Sequence, residues 1–173
     1  MTRQNFVPSS DDFNAELDQS ECKACRDFQS GEQIFIFYGA RTNSELFVHN
    51  GFVYADNEHD GLRLKLGVSR EDPLQPERTQ LLARLGIPPS GDFMLKNGPE
   101  PVDGRLLAFL RVFNMGPDHL KHWLLSDRSC DLMYPDCALE TDVETKMWKF
   151  LLNRIFLLQR AYTTSLDVGY SFS

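Results

Sequence analysis

Four apolar residues in a row, Ile34 to Phe37, stand where a surface strand would alternate, and they run straight into Tyr38-Gly39. Such a run predicts a strand buried on both faces. On residue chemistry alone, a tyrosine at its exit closes the core and bonds a backbone group through its hydroxyl. The preceding "ECKACRDF" reads as a second strand, joined to "QIFIFYG" through "QSGE" in a hairpin with Gly31 at the turn. Thr42 and Glu45 have the spacing of a capping box, which starts a short helix over "NSELFVH". Asn50-Gly51 stops it, because either residue tolerates the left-handed cap. "FVYA" and "LRLKLGV" are then predicted as two strands around the turn "DNEHDG". In the second of these, Leu62, Leu64 and Leu66 alternate with Arg63 and Lys65, the period of a half-buried strand.

After Ser69 the period changes. "ERTQLLARLG" is helical, ends at Gly86 and is stopped by Pro88-Pro89. "DFML" fits a short strand or an irregular link. In "GRLLAFLRVF", Leu106, Leu107, Leu110 and Phe113 share a face, and Pro117 opens "PDHLKHWLL", with Leu120, Trp123 and Leu124 facing inward. Thr141 and Glu144 form a second capping-box pair ahead of the longest helix, Asp142 to Tyr162. Its apolar series, from Val143 through Met147, Leu151 and Ile155 to Tyr162, is a helix–helix core pattern. Strands followed by helices predict an α+β chain: a strand-rich half over residues 1–67, with 1–12 disordered, and a helical half over 68–173. The first half holds few strands for a complete sheet, so it reads as part of a domain.

Composition narrows the function classes. The chain has 173 residues, net charge −7 and pI near 5.0, a balance that excludes a basic nucleic-acid-binding surface. Its polar start is no secretory leader, and its longest apolar runs are too short to span a bilayer. A soluble protein of the cytoplasm or nucleus with reduced cysteines is expected. Cys22 and Cys25 could be half of a zinc site, but Cys130 and Cys137 are too widely spaced to be the other half, and a strand through 22–25 would point the first pair to opposite faces. His119 and His122 can share a helical face without an evident third ligand. No metal is expected.

The stretch "GEQIFIFYG" resembles the C-terminal signature of SET-domain methyltransferases, where an acidic-Gln-apolar strand leads into Tyr-Gly. The continuation "ARTNSELFVHNGF", with "LKLGVS", "LLARLGIP" and "LLAFLRVF", resembles the subgroup whose SET domain is followed by a helical lobe of the Rubisco large-subunit-methyltransferase type. Within it, the likeness is greatest to the members that methylate a histidine of actin; lysine-modifying members share the short signature. The resemblance runs from Phe13 to Tyr162. It implies the C-terminal remnant of a β-rich SET domain followed by an all-α substrate-binding lobe, incomplete at its C-terminus. It also implies S-adenosyl-L-methionine as cofactor and a protein substrate, actin, engaged by a monomer. Tyr38 falls on the catalytic tyrosine, Asn50, Gly51 and Phe52 on the segment that contacts cofactor, and Arg41 on the substrate side.

Departures accompany the likeness. The family's Asn-His pair upstream of the hairpin does not occur in this sequence, and position 50 is Asn where a member of the family has a smaller hydroxyl residue. An N-terminally truncated product with an incomplete cofactor site is therefore expected. Three readings follow: a methyltransferase segment acting on histidine or lysine, a binding module that engages a protein such as actin without catalysis, and a non-functional fragment.

Overall fold

A computed structural model of the chain describes residues 6–7, 12–21, 26–36, 38–137 and 139–162. It divides into two compact units, Met1–Asp60 and Gly61–Ser173. No helix among the described residues is long and apolar enough to cross a membrane.

The first unit is built from short pieces. β1 (Phe6–Val7) pairs in parallel with β4 (Phe35–Ile36), and β2 (Asp12–Asn14) pairs antiparallel with β3 (Gln19–Glu21). One sequence expectation changes here: within the 1–12 segment, Phe6–Val7 is a strand and a neighbour of β4. Residues 22–25 of "ECKACRDF", the expected hairpin partner of the Ile34–Phe37 run, lie outside the described residues. The turn itself is present: Glu32 N–H donates to the Gln29 carbonyl at 3.0 Å, and Gly31 adopts φ 83°. Ile34 is 54% exposed, so the run is not enclosed at its start.

The helix α1 (Asn43–Asn50) forms as its ends dictate. Thr42 and Glu45 cap each other reciprocally, and Gly51 takes the left-handed φ of 76°. "FVYA" is not a strand. Its backbone is bound by a side chain instead: Tyr54 N–H donates to Asn43 Oδ1 at 3.0 Å, and Asn43 Nδ2 donates to the Tyr54 carbonyl at 2.9 Å. One amide thus supplies the donor and acceptor that a neighbouring strand would have offered.

With "FVYA" so occupied, β5 (Gly61–Gly67) pairs antiparallel with β6 (Ser90–Lys96), in register from Gly61 opposite Lys96 to Gly67 opposite Ser90. The strand that the sequence reading put in the first half therefore belongs to the second unit. Its period-two pattern is kept: Leu64 and Leu66 are buried while Arg63 and Lys65 are exposed.

The rest of this unit is α2 (Gln75–Arg84), α3 (Gly104–Asn114), α4 (Pro117–Leu125), a 3₁₀ turn over Ser129–Met133, and α5 (Thr141–Arg160). Leu81 and Leu82 of α2, Phe93 of β6, Leu120 of α4 and Val143, Met147 and Leu151 of α5 enclose α3. Every residue of α3 from Leu106 to Val112 is buried, so it is a central helix and not the one-faced helix that the periodicity suggested.

Arginines finish the unit, Arg78 and Arg111 buried and Arg84 exposed. Arg78 pairs with Asp72 at 2.9 Å and donates to the carbonyls of Val112, Phe113 and Met115, which closes the C-terminal end of α3. Arg84 does the same at the end of α4, donating to the Leu124 and Ser126 carbonyls. Arg111, 2% exposed, donates through Nε to Glu144 at 2.8 Å and through its terminal nitrogens to the Leu132, Tyr134 and Cys137 carbonyls at 2.8–2.9 Å. This corrects the second capping box. Glu144 is drawn to Arg111, the residue before α5 is Glu140, and no side chain caps that helix start.

Candidate active site

The residues singled out by sequence all lie on one strand–helix–loop passage of the first unit. Gly39, at φ 84°, turns the chain sharply as it leaves Tyr38. Tyr38 is 46% exposed, and no hydrogen bond to its hydroxyl is recorded among the described residues. The core-closing reading of this tyrosine therefore fails. Its ring meets the Phe52 ring edge-on, with centroids 5.5 Å apart and planes at 69°. Arg41 Nη1 donates to Asn50 Oδ1 at 3.2 Å. Gly51 bridges the two contacts, and a Cβ placed on it would meet nothing within 4 Å, so this stretch of backbone is open to approach. The structure thus brings together Tyr38 with Phe52 and Arg41 with Asn50.

Sequence reading missed the side chains that hold this passage in shape. Besides gripping Tyr54, Asn43 donates from its backbone N–H to Asp60 Oδ1 at 2.8 Å and from Nδ2 to Asp60 Oδ2 at 3.1 Å. Asn57 Nδ2 donates to the Arg41 carbonyl at 2.8 Å and to Asn43 Oδ1 at 3.2 Å. The loop that carries Phe52 is thereby stitched to the residues following Tyr38. Asn43 was legible only as the first residue of a capped helix; nothing in the period of the chain marks a side-chain amide that stands in for a strand. Asn43→Ala keeps the backbone bond to Asp60 and should remove the four made by the side chain, to Tyr54, Asp60 and Asn57, at a cost of about 1–3 kcal/mol to the loop. The expected readout is faster exchange of the Tyr54 amide, by at least about tenfold, with the amides inside α1 little changed. An unchanged Tyr54 amide would show that the loop is held by something else.

The acidic residue of "GEQIFIFYG" has a structural task. Glu32 pairs with Arg26 and accepts from the Gln29 N–H at 3.1 Å. These bonds, that from Arg26 first, hold its carboxyl below the usual carboxylate range. The Arg26 guanidinium lies 3.9 Å from the centre of the Phe28 ring.

Cys22 and Cys25 lie outside the described residues. Among the described ones, no group of three or more His, Cys, Asp or Glu side chains is placed to hold a metal. His119, for which the sequence offered no third ligand, pairs with Glu140 at 3.1 Å.

Residues 69–168 match the Rubisco LSMT substrate-binding family, and the chain belongs to it. Over 99% of its length it is 39% identical to the actin-histidine N-methyltransferases of Canis lupus familiaris and Rhinolophus ferrumequinum, and over 96% it is 38% identical to that of Mus musculus. It spans about a third of the length of these curated relatives. Among solved structures, Rubisco LSMT bound to AdoMet matches 95% of this chain and 39% of its own, with a TM-score of 0.69 at 20% identity. The SET domain of LSMT bound to lysine and AdoHcy matches 82% of this chain and 33% of its own, with a TM-score of 0.65 at 21% identity. The fold is therefore α+β, a SET-type portion followed by the lobe.

Proposed function

We propose that this chain is part of an S-adenosylmethionine-dependent protein N-methyltransferase whose substrate is a histidine of actin. The observation that carries the reading is the half-exposed Tyr38, set beside Phe52 and next to the open backbone at Gly51. The residues present fit one side of a nucleoside sulfonium: aromatic edges for the apolar part, and bare backbone where close approach is needed. When bound, that cofactor supplies the methyl group. The Tyr38 hydroxyl would orient the incoming nitrogen, and Phe52 would keep the Tyr38 ring in place. Asn50, tied to Arg41, would fix the backbone against the cofactor while Arg41 borders the substrate side. Most of the gain from such a site is positioning. The names of the relatives favour histidine as target. The lysine-bound solved structure supports a protein-lysine reading of the same site. A monomer acting in the cytoplasm or nucleus, without nucleic acid or membrane, completes the proposal.

The test is a calorimetric titration with S-adenosylmethionine, followed by mass-spectrometric assay of actin methylation. It is run on this chain alone and on a fusion to the upstream SET segment of a longer relative, which carries the Asn-His pair. Weak or no cofactor binding by the chain, and binding with histidine methylation by the fusion, is expected. A fusion that binds no cofactor would overturn the enzyme reading in favour of a non-catalytic module that binds actin. Micromolar binding and turnover by the chain alone would overturn the expectation of an incomplete cofactor site.

A further inference from the structure

A cleft of about 530 Å³ lies in the second unit between α4 and the facing segment Arg128–Cys137, which includes the 3₁₀ turn. His122 and Trp123 line it from α4; Arg128, Asp131, Tyr134 and Asp136 line it from the facing segment. Its volume falls in the range of sites that take a small ligand or a peptide side chain.

The far wall is preformed. Arg111 draws the carbonyls of Leu132, Tyr134 and Cys137 inward. The Tyr134 side chain is left 61% exposed on a backbone that is itself tied down. Close packing reinforces this wall, since a Cβ at Gly104 would stand 2.7 Å from the Met133 carbonyl oxygen. On the opposite side, the Trp123 ring meets His122 edge-on at 5.5 Å.

The charges can be followed one by one. Arg128 is spent on Asp131, with contacts of 2.6 and 2.8 Å. Burial pushes the Cys137 thiol up, so it adds no anion at neutral pH. Asp136 is exposed and has no ion pair among the described residues. Residues 126–140 hold four acidic side chains and one basic, whereas the whole second unit holds fourteen of each. The cleft therefore combines two aromatic rings, one uncommitted carboxylate and a rigid wall.

We propose that this cleft is a docking site for a basic side chain, Arg or Lys, of a partner protein, with the cation against the Trp123 and Tyr134 rings and Asp136 as its counter-charge. Ring faces attract cations, and a carboxylate beside them selects a cation over a neutral group of the same shape. The proposal rests on reading this unit as the part that holds a protein partner. Its test needs neither cofactor nor turnover, so the two can fail separately.

The 173-residue chain, labelled with ¹⁵N, is titrated with acetyl-Gly-Gly-Arg-Gly-Gly-amide and with the same peptide carrying citrulline, which keeps the shape and loses the charge. The Trp123 indole N–H is expected to shift saturably with the arginine peptide, and the citrulline peptide should bind at least about tenfold more weakly. Asp136→Asn should weaken the arginine peptide by about tenfold at unchanged melting temperature. Tyr134→Leu should weaken it as well, while Trp148 remains unaffected throughout. Equal binding of the two peptides, no response to Asp136→Asn, or shifts confined to Trp148 would overturn the proposal.

Discussion

Arg111→Ala is expected to cost the second unit about 3–5 kcal/mol, because it removes a buried guanidinium and leaves the part-buried Glu144 and three carbonyls, that of Leu132 buried, without their shared donor. For a unit of this size that is a fall in melting temperature of about 10–20 °C. The guanidinium reaches four acceptors on two segments from one point of α3. An ammonium is a single point with three donors, so Arg111→Lys should recover only part of the loss. Pairing Arg111→Met with Glu144→Leu should restore the share owed to the unpaired carboxylate and no more, since the carbonyls of Leu132, Tyr134 and Cys137 stay unsatisfied. Urea denaturation followed by circular dichroism measures all four proteins. A loss under about 1 kcal/mol for Arg111→Ala would place it among ordinary substitutions and refute the structural weight given to its four bonds.

Tyr38→Phe carries the second large effect. In the fusion that restores cofactor binding, methyl transfer should fall about a hundred- to thousandfold, the usual result of losing one hydrogen bond made in the transition state, about 2.7–4 kcal/mol. The ring contact with Phe52 survives the substitution, so cofactor affinity and melting temperature should barely move. The opposite outcome, a lower melting temperature with turnover preserved, would make Tyr38 a packing residue. Its exposure and the lack of a recorded partner for its hydroxyl motivate the first outcome.

Local signals carried much of the fold. The capping box at Thr42 and Glu45, the left-handed Gly51 and the alternation of Leu64 and Leu66 all acted where the chain encodes them. What could not be read was which distant group would answer each one. "LRLKLGV" found its partner in "SGDFMLK", where Phe93, Met94 and Leu95 in succession hide the period of a strand. Thr141 and Glu144 have the spacing of a cap, but a buried guanidinium on another helix outbid the helix start for that carboxylate. The candidate site was legible as positions and not as roles. Residue chemistry alone made Tyr38 a core residue; only the likeness to a family put it in a site. The Asn43–Asn57–Asp60 network depends on a loop geometry that no period announces.

The burial of α3 has a consequence for how this chain can change over generations. From Leu106 to Val112 the helix has no outside. A surface helix drifts freely on its wet face, but here each of these positions meets packed neighbours, and an enlarged or charged replacement must be matched by a change in β6, α2 or α5. Single substitutions in this segment should therefore be rejected, and variation should enter it in compensating pairs. The exposed face of α5 is a place where this unit can vary one residue at a time.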